Sequence, residues 1–224
     1  MDHDWLPLLR AATERFAGVL DDGDLTAAVP SCPGWTLADL AEHLGGVHAW
    51  AAHAVEHGTP DGTEPPAPPT GIADWYRGHA AHLLDVLGSR PAAAPAWTFG
   101  PQPGTAAFWR RRQLHEVEVH TWDALGSQGR AHGLDPSLAW DGVEEVATVF
   151  YPRQVRLERV APLPRALRLR ATDLDGSVVL GSGPGLEVRA PATGLLLLLW
   201  HRADPASYDV PPEAAELLGR ALTP

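Results

Sequence analysis

The chain has 224 residues, enough for one large domain or two small ones. Its 28 acidic and 17 basic residues give a net charge of −11 at pH 7, which argues against nucleic acid or an anionic membrane as a partner. With 45% apolar and 20% charged residues the composition is typical of a soluble globular protein, and the single cysteine, Cys32, excludes an internal disulfide and a cysteine-based zinc site.

The ends and apolar runs of the chain carry no sign of export or membrane insertion. The segment Met1 to Trp5 lacks the basic and apolar regions of a signal peptide. The longest apolar run, Gly194 to Trp200, is far too short to cross a bilayer. We therefore expect a cytoplasmic protein that has no membrane partner.

Apolar residues recur at helical spacing through the first half of the chain. Four helices are expected, at about 4–20, 37–57, 72–87 and 105–125. Pro- and Gly-rich connections at 58–71 and 90–104 separate the last three of these helices. Four helices with two long connections favour a four-helix bundle, and the cores of such bundles commonly hold metal sites formed by facing helices.

The second helix carries the first candidate ligand. Thr36 resembles an N-cap, and Asp39 three residues later completes a near capping box. Leu40, His43 and Leu44 then share one stripe of the helix, so His43 points with the core leucines. Taken alone, a histidine in this position is more often a hydrogen-bonded core residue than a metal ligand.

The fourth helix carries two more candidates. Glu116 and His120 are one helical turn apart and point the same way, and both side chains are good zinc ligands. An isolated pair of this kind is more often an exposed acid–imidazole contact. Together with His43, however, it forms a two-histidine, one-carboxylate set that leaves one coordination position free, as a catalytic metal site requires.

The second half of the chain has a different sequence pattern, in which predicted strands occur together with helices. One helix is expected at 136–149, strands at 166–171, 177–180 and 186–190, and further helices at 194–202 and 211–222. The mixture predicts an α+β architecture. Prolines at 152, 162 and 164 place the expected domain boundary near residues 150–162. We therefore expect a helical bundle over 1–150 and a small α+β domain over 151–224.

Three segments resemble the signatures of the mycothiol-dependent maleylpyruvate isomerase family. They are Pro30 to Leu44, which contains Cys-Pro-Gly-Trp-Thr, then Phe108 to Ala124, and Leu195 to Arg202. The resemblance implies a DinB-like metal-binding four-helix bundle followed by a small domain related to sterol carrier protein folds. It places the metal triad on His43, Glu116 and His120, and a functional arginine on Arg202. The chain departs from the family at His201, where glycine is usual.

The resemblance also implies an activity. We expect a divalent metal, with zinc the first choice, and mycothiol or a similar thiol as cofactors of a cis–trans isomerase that works by thiolate addition and elimination. A thiol S-transferase and a non-enzymatic small-molecule binding protein remain alternatives. Arg202 would bind an anionic small-molecule substrate, or instead pair with Asp204. The expected assembly is a monomer or a small homo-oligomer.

Neighbouring residues receive more ordinary interpretations. Asp123 could orient the His120 ligand or cap the end of its helix. Cys32 is expected to pack as a small buried hydrophobe, Glu118 to face solvent, and His48 to lie on the surface or in a groove.

Overall fold

The computed structural model describes residues 3–62, 66 and 70–224, so part of the expected connection at 58–71 lies outside the described residues. The chain divides into two compact units, Met1–His132 and Gly133–Pro224. Among the described residues, no helix combines the length and the apolar character needed to cross a membrane.

The described residues of the first unit form four helices, as predicted. They are α1 (Trp5–Asp22), α2 (Leu37–His57), α3 (Ile72–Gly88) and α4 (Ala106–Ser127). Helices α1 and α2 each pack against both α3 and α4. The apolar stripes meet in a core whose fully buried members include Leu9, Phe16, Leu44, Leu83 and Trp109.

Helix α2 is fixed at both ends by local sequence. The Thr36 side chain accepts the Asp39 backbone N–H at 3.3 Å, and the Asp39 carboxylate accepts the Thr36 N–H at 2.7 Å, which completes the predicted capping box. At the other end, Gly58 adopts a left-handed conformation with φ of 70°, which glycine tolerates without steric cost. The capping box sets the rotation of α2 and therefore the direction of His43, two turns later.

The second unit combines helices with a small sheet. Helix α5 (Pro136–Glu145) continues through a π-helical turn (Val146–Phe150) into α6 (Tyr151–Arg156). Strands β1 (Ala166–Ala171), β2 (Ser177–Leu180) and β3 (Gly185–Ala190) follow, then α7 (Ala192–Leu199), a 3₁₀ turn (Pro205–Ser207) and α8 (Pro212–Leu218).

The three strands form one sheet in the order β2-β1-β3, which confirms the predicted α+β class. Strand β1 pairs antiparallel with β2 and parallel with β3. Alternation along β1 buries Leu167 and Leu169 completely while Arg168 and Arg170 face outward, the pattern of a sheet with one covered face.

The boundary between the units lies earlier than the sequence suggests. We expected it near residues 150–162, whereas the structure divides between His132 and Gly133. Helix α5 packs against α7 in the second unit, and the leucines of α7 are buried, each contributing about 1.5–3 kcal/mol. Pro152 does not mark a linker, because the π-helical turn before it accommodates a residue that has no N–H to donate.

Helix α7 is shorter than predicted and ends at Leu199 instead of continuing to residue 202. The cause is His201, which adopts φ of 58° in the left-handed region. This conformation costs a non-glycine residue roughly 1–2 kcal/mol. A hydrogen bond of 2.9 Å between His201 Nε2 and the Leu218 carbonyl offsets part of that cost.

Candidate metal centre

The three predicted ligands converge within the first unit. His43 Nε2 lies 3.2 Å from Glu116 Oε1, and His120 Nε2 lies 3.5 Å from the same oxygen. Two atoms bound to one tetrahedral zinc at about 2.0–2.1 Å lie about 3.3 Å apart. The spacing therefore fits one ion held by two imidazoles and a carboxylate.

The three side chains differ in their exposure to solvent. His43 is 32% exposed, whereas Glu116 and His120 are 15% and 12% exposed. The rings of His43 and His120 meet edge to face with centroids 5.1 Å apart. The cluster is thus open on the α2 side and enclosed on the α4 side, so that a small molecule would approach past His43.

Asp123 orients His120, one of the two roles that the sequence suggested. Its side chain is fully buried, and Oδ2 lies 2.8 Å from His120 Nδ1. Ser31, in the loop before α2, donates a hydrogen bond of 2.5 Å to Asp123 Oδ1. With Nδ1 donating to Asp123, His120 that gives up its second proton would direct an unprotonated Nε2 toward Glu116 and His43, which is the tautomer that binds a metal.

Arg112 restrains the carboxylate ligand. The guanidinium is 3% exposed, and its Nη2 donates to Glu116 Oε2 at 2.5 Å, one helical turn away. This bond occupies one carboxylate oxygen and leaves Oε1 facing the two histidines. The arrangement favours a monodentate carboxylate in a site of low coordination number.

Glu116 and His120 have pKa values displaced in opposite directions. Burial acts to raise the pKa of Glu116, but the charge of Arg112 and hydrogen bonds from His120 and His43 hold it well below its usual range. Burial acts to lower the pKa of His120, but hydrogen bonds to Asp123 and Glu116 hold it well above its usual value. A metal ion bound at this site would therefore displace the His120 proton.

A second set of donors shares His120. Cys32, His120 and Asp123 also place one donor atom each within 4.8 Å of one another, as do His43, Glu116 and His120. However, His120 Nδ1 and Asp123 Oδ2 are 2.8 Å apart, a hydrogen-bond distance shorter than the spacing of two zinc ligands. Cys32 Sγ lies 3.7 Å from Asp123 Oδ2. This geometry favours Cys32 and Asp123 as supports of the His120 ligand.

The remaining predicted site residue, Arg202, belongs to the second unit. Its Nη1 donates to the Trp200 carbonyl at 2.7 Å, and its guanidinium lies over the Trp200 ring, 5.9 Å from the centroid. The Asp204 carboxylate accepts the Ala206 backbone N–H at 2.9 Å and so caps the 3₁₀ turn. The role of Arg202 stays a prediction.

Glu118 does not face solvent as predicted. It is 7% exposed, and its carboxylate accepts from Arg15 Nη1 at 2.9 Å and lies 3.0 Å from His132 Nε2. The error arose because two residues along a helix turn the side chain by about 200°, which in a bundle points toward another helix as easily as toward water. Glu118 thus ties α4 to α1 on the side away from the ligands.

His48 is also buried, contrary to the prediction of a surface or groove position. It has no exposed area, and its Nδ1 lies 2.6 Å from Gln113 Oε1 on α4. The Tyr76 hydroxyl on α3 lies 3.5 Å from Nε2. The prediction was wrong because α2 packs on two helices at once, so that a face about 140° from the His43 stripe is still interior.

Asp123→Asn should lower the metal affinity about 10–100-fold, because the variant loses the negative charge that fixes the His120 tautomer. Competition against a chromophoric chelator measures this affinity. The matched control is Asp85→Asn, since Asp85 is an exposed aspartate on α3. Equal affinities for Asp123→Asn and the unmodified protein would show that Asp123 has no supporting role.

Protonation of His48 should destabilise the fold in acid. Burial lowers the pKa of His48 to about 4, below the ordinary value of 6.5. A pKa lowered in the folded state makes the unfolded chain bind the proton first, so stability is complete above pH 6.5 and is lost as the pH falls toward 4. At pH 5 the expected loss from this one group is about 2 kcal/mol.

Urea denaturation at pH 7.5 and pH 5 tests this prediction. His48→Asn removes the titrating group and should show a smaller drop in the free energy of unfolding between the two pH values. His57→Asn, at an exposed position on the same helix, should retain the full drop. An identical pH dependence for His48→Asn and the unmodified protein would contradict the assignment.

Each of the two units matches a known protein-family model. The family model for the mycothiol maleylpyruvate isomerase N-terminal domain matches residues 6–125, and the model for the MDMPI C-terminal domain matches residues 137–220. No curated protein matches the chain.

Two crystal structures share the fold. A mycothiol-dependent maleylpyruvate isomerase superposes with a TM-score of 0.67 at 15% identity, covering 93% of this chain and 94% of that chain. A histidine-to-alanine mutant of a mycothiol-dependent maleylpyruvate isomerase gives a TM-score of 0.64 at 14% identity, with the same coverage.

Proposed function

The chain belongs to the mycothiol-dependent maleylpyruvate isomerase family, and from this premise we propose that it is a metal-dependent enzyme that uses a low-molecular-weight thiol of the mycothiol type. The observation that carries the proposal is the convergence of His43 Nε2, Glu116 Oε1 and His120 Nε2. These atoms would hold a divalent cation, with zinc the first choice, and leave one position open.

The chemistry follows from that open position. A divalent cation held there would lower the pKa of an incoming thiol, so that a thiolate is available at neutral pH. The chain itself supplies the orientation: Asp123 fixes the His120 tautomer, and Arg112 holds the second oxygen of Glu116. The internal thiol, Cys32, lies against Asp123 and supports the centre, which leaves the nucleophile to come from outside the chain.

The thiolate would isomerise a cis alkene conjugated to a carbonyl group. Sulfur adds to one alkene carbon as the π-electron pair moves toward the carbonyl oxygen, and the former double bond becomes a single bond that can rotate. The electron pair then returns, the carbon–sulfur bond breaks, and the trans alkene and the thiolate leave. Arg202 would hold a carboxylate of this anionic substrate, since a guanidinium can bind both of its oxygens.

An S-transferase is the second candidate on the same scaffold. In that case the adduct takes up a proton at carbon instead of expelling sulfur, and the thiol is consumed. The two activities share the metal centre and the addition step, so the fate of the thiol separates them.

Turnover of maleylpyruvate and other cis-alkene acids, with and without mycothiol, tests the proposal on zinc-loaded protein. We expect trans product, dependence on both metal and thiol, and full recovery of the thiol. One equivalent of thioether per substrate would assign the protein as a transferase. Turnover without thiol would contradict the proposal, and saturable binding of these acids without turnover would instead favour the non-enzymatic binding protein.

A further inference from the structure

A cavity of about 470 Å³ opens beside His43 in the first unit. Its described walls come from the loop before α2, from the first turns of α2 and from Pro66 in the connection that follows α2, and they include Trp35, Asp39, Glu42 and His43. The volume falls within the range of small-molecule sites, about 300–1,000 Å³. Because His43 is both a wall of the cavity and a proposed ligand, a molecule bound at the metal would extend into this space.

Trp35 forms an aromatic wall of the cavity. Its ring lies 5.1 Å from the His43 ring, and the side chain is half-buried. Within the part of the chain that the structure describes, the indole N–H has no hydrogen-bond acceptor. Trp35 therefore offers an apolar face and one free donor, the combination that packs against the C–H face of a ring and binds a hydroxyl oxygen.

The polar walls are acidic. Glu42 is exposed and makes no hydrogen bond or ion pair to the described residues, and Asp39 adds a second carboxylate that the Thr36 capping bonds hold in place. None of the described lining residues is an arginine, and the sequence contains no lysine. Such walls accept hydrogen bonds from hydroxyl groups, and their described residues include no lysine or arginine that could form an ion pair with a carboxylate.

We propose that this cavity binds the uncharged, hydroxyl-rich body of the thiol cosubstrate, with Trp35 packing against its ring and Glu42 accepting its hydroxyls. This inference rests on the proposed function, since the thiol sulfur must reach the metal for its body to enter the cavity. The carboxylate substrate is excluded from this space by Glu42 and Asp39 and takes another position. Trp35 and Glu42 would thus select the thiol, whereas the metal ligands would activate its sulfur.

Thiol binding to the cobalt-substituted protein tests the inference without turnover, through the sulfur-to-cobalt charge-transfer absorbance. The probes are 1-thio-β-D-glucose, which carries a hydroxyl-rich ring, and 2-mercaptoethanol, which does not. Trp35→Leu should raise the Kd for thioglucose about tenfold, and Glu42→Gln about threefold. Both variants should leave the Kd for mercaptoethanol unchanged, and Glu56→Gln, an exposed glutamate farther along α2, should change neither value.

The outcomes separate this inference from the proposed function. An equal rise in the Kd of both thiols in Trp35→Leu would mean that Trp35 only positions His43. An unchanged Kd for thioglucose would mean that thioglucose binds elsewhere. Either result overturns the inference and leaves the proposal of a metal- and thiol-dependent enzyme standing. Tighter binding of cysteamine or mercaptosuccinate than of thioglucose would assign a charged ligand to the cavity and also overturn it. No absorbance change with any thiol would overturn both.

Discussion

His120→Ala should abolish stoichiometric zinc binding and, with it, thiol-dependent turnover. The variant loses one of three ligands, and it also leaves the buried Asp123 carboxylate without its imidazole partner. Loss of an outer partner of a ligand typically costs up to about 100-fold in metal affinity, so loss of the ligand itself should cost more. Elemental analysis after gel filtration, together with chelator competition, measures the effect.

His57→Ala is the matched control, because His57 is an exposed histidine on α2. It should retain one zinc per chain and normal turnover. Circular dichroism must show that His120→Ala keeps its helices, so that metal loss is not a consequence of unfolding. A folded His120→Ala that still binds one zinc with unchanged affinity would remove His120 from the centre.

Arg202→Lys should lower turnover about 100-fold and leave the metal content unchanged. Lysine retains the positive charge but not the planar fork, so a carboxylate held by two parallel hydrogen bonds would lose its orientation. The metal is unaffected because its proposed ligands all lie in the first unit, whereas Arg202 lies in the second. Steady-state kinetics with a carboxylate substrate, alongside zinc analysis, tests both halves of the prediction.

Arg220→Lys provides the control for a general effect of replacing arginine, since Arg220 lies in the same unit after α8. It should leave turnover unchanged. Normal turnover in Arg202→Lys would instead assign Arg202 a structural role in its bond to the Trp200 carbonyl. Loss of zinc in Arg202→Lys would contradict the prediction that zinc binding depends only on residues of the first unit.

Much of the fold was predictable because its signals are local. The capping box at Thr36 and Asp39 fixed the start of α2, and alternation along Leu167 to Arg170 predicted β1. The domain boundary was not predictable from prolines, because the burial of α5 against α7 depends on residues distant in sequence. The end of α7 was missed because only the backbone of His201 shows the left-handed turn.

The convergence of the three proposed ligands was also predictable in part. The spacing of Glu116 and His120 places them on one helical face, and the stripe around His43 directs it inward. The bond from Ser31 to Asp123 joins residues 92 apart in sequence, so no spacing rule reveals it. Arg112 could be placed one turn before Glu116, but its near-complete burial and its hold on one carboxylate oxygen emerge only from packing.

X-ray absorption at the zinc edge, measured on zinc-loaded protein before and after addition of mycothiol, tests the metal-and-thiol centre most directly. We expect two imidazoles and only nitrogen and oxygen ligands at about 2.0–2.2 Å before addition, and one new sulfur at about 2.3 Å afterwards. A sulfur ligand already present without mycothiol would mean that Cys32 binds the metal, and would contradict a centre formed by His43, Glu116 and His120. An unchanged spectrum after addition would contradict the use of a thiol.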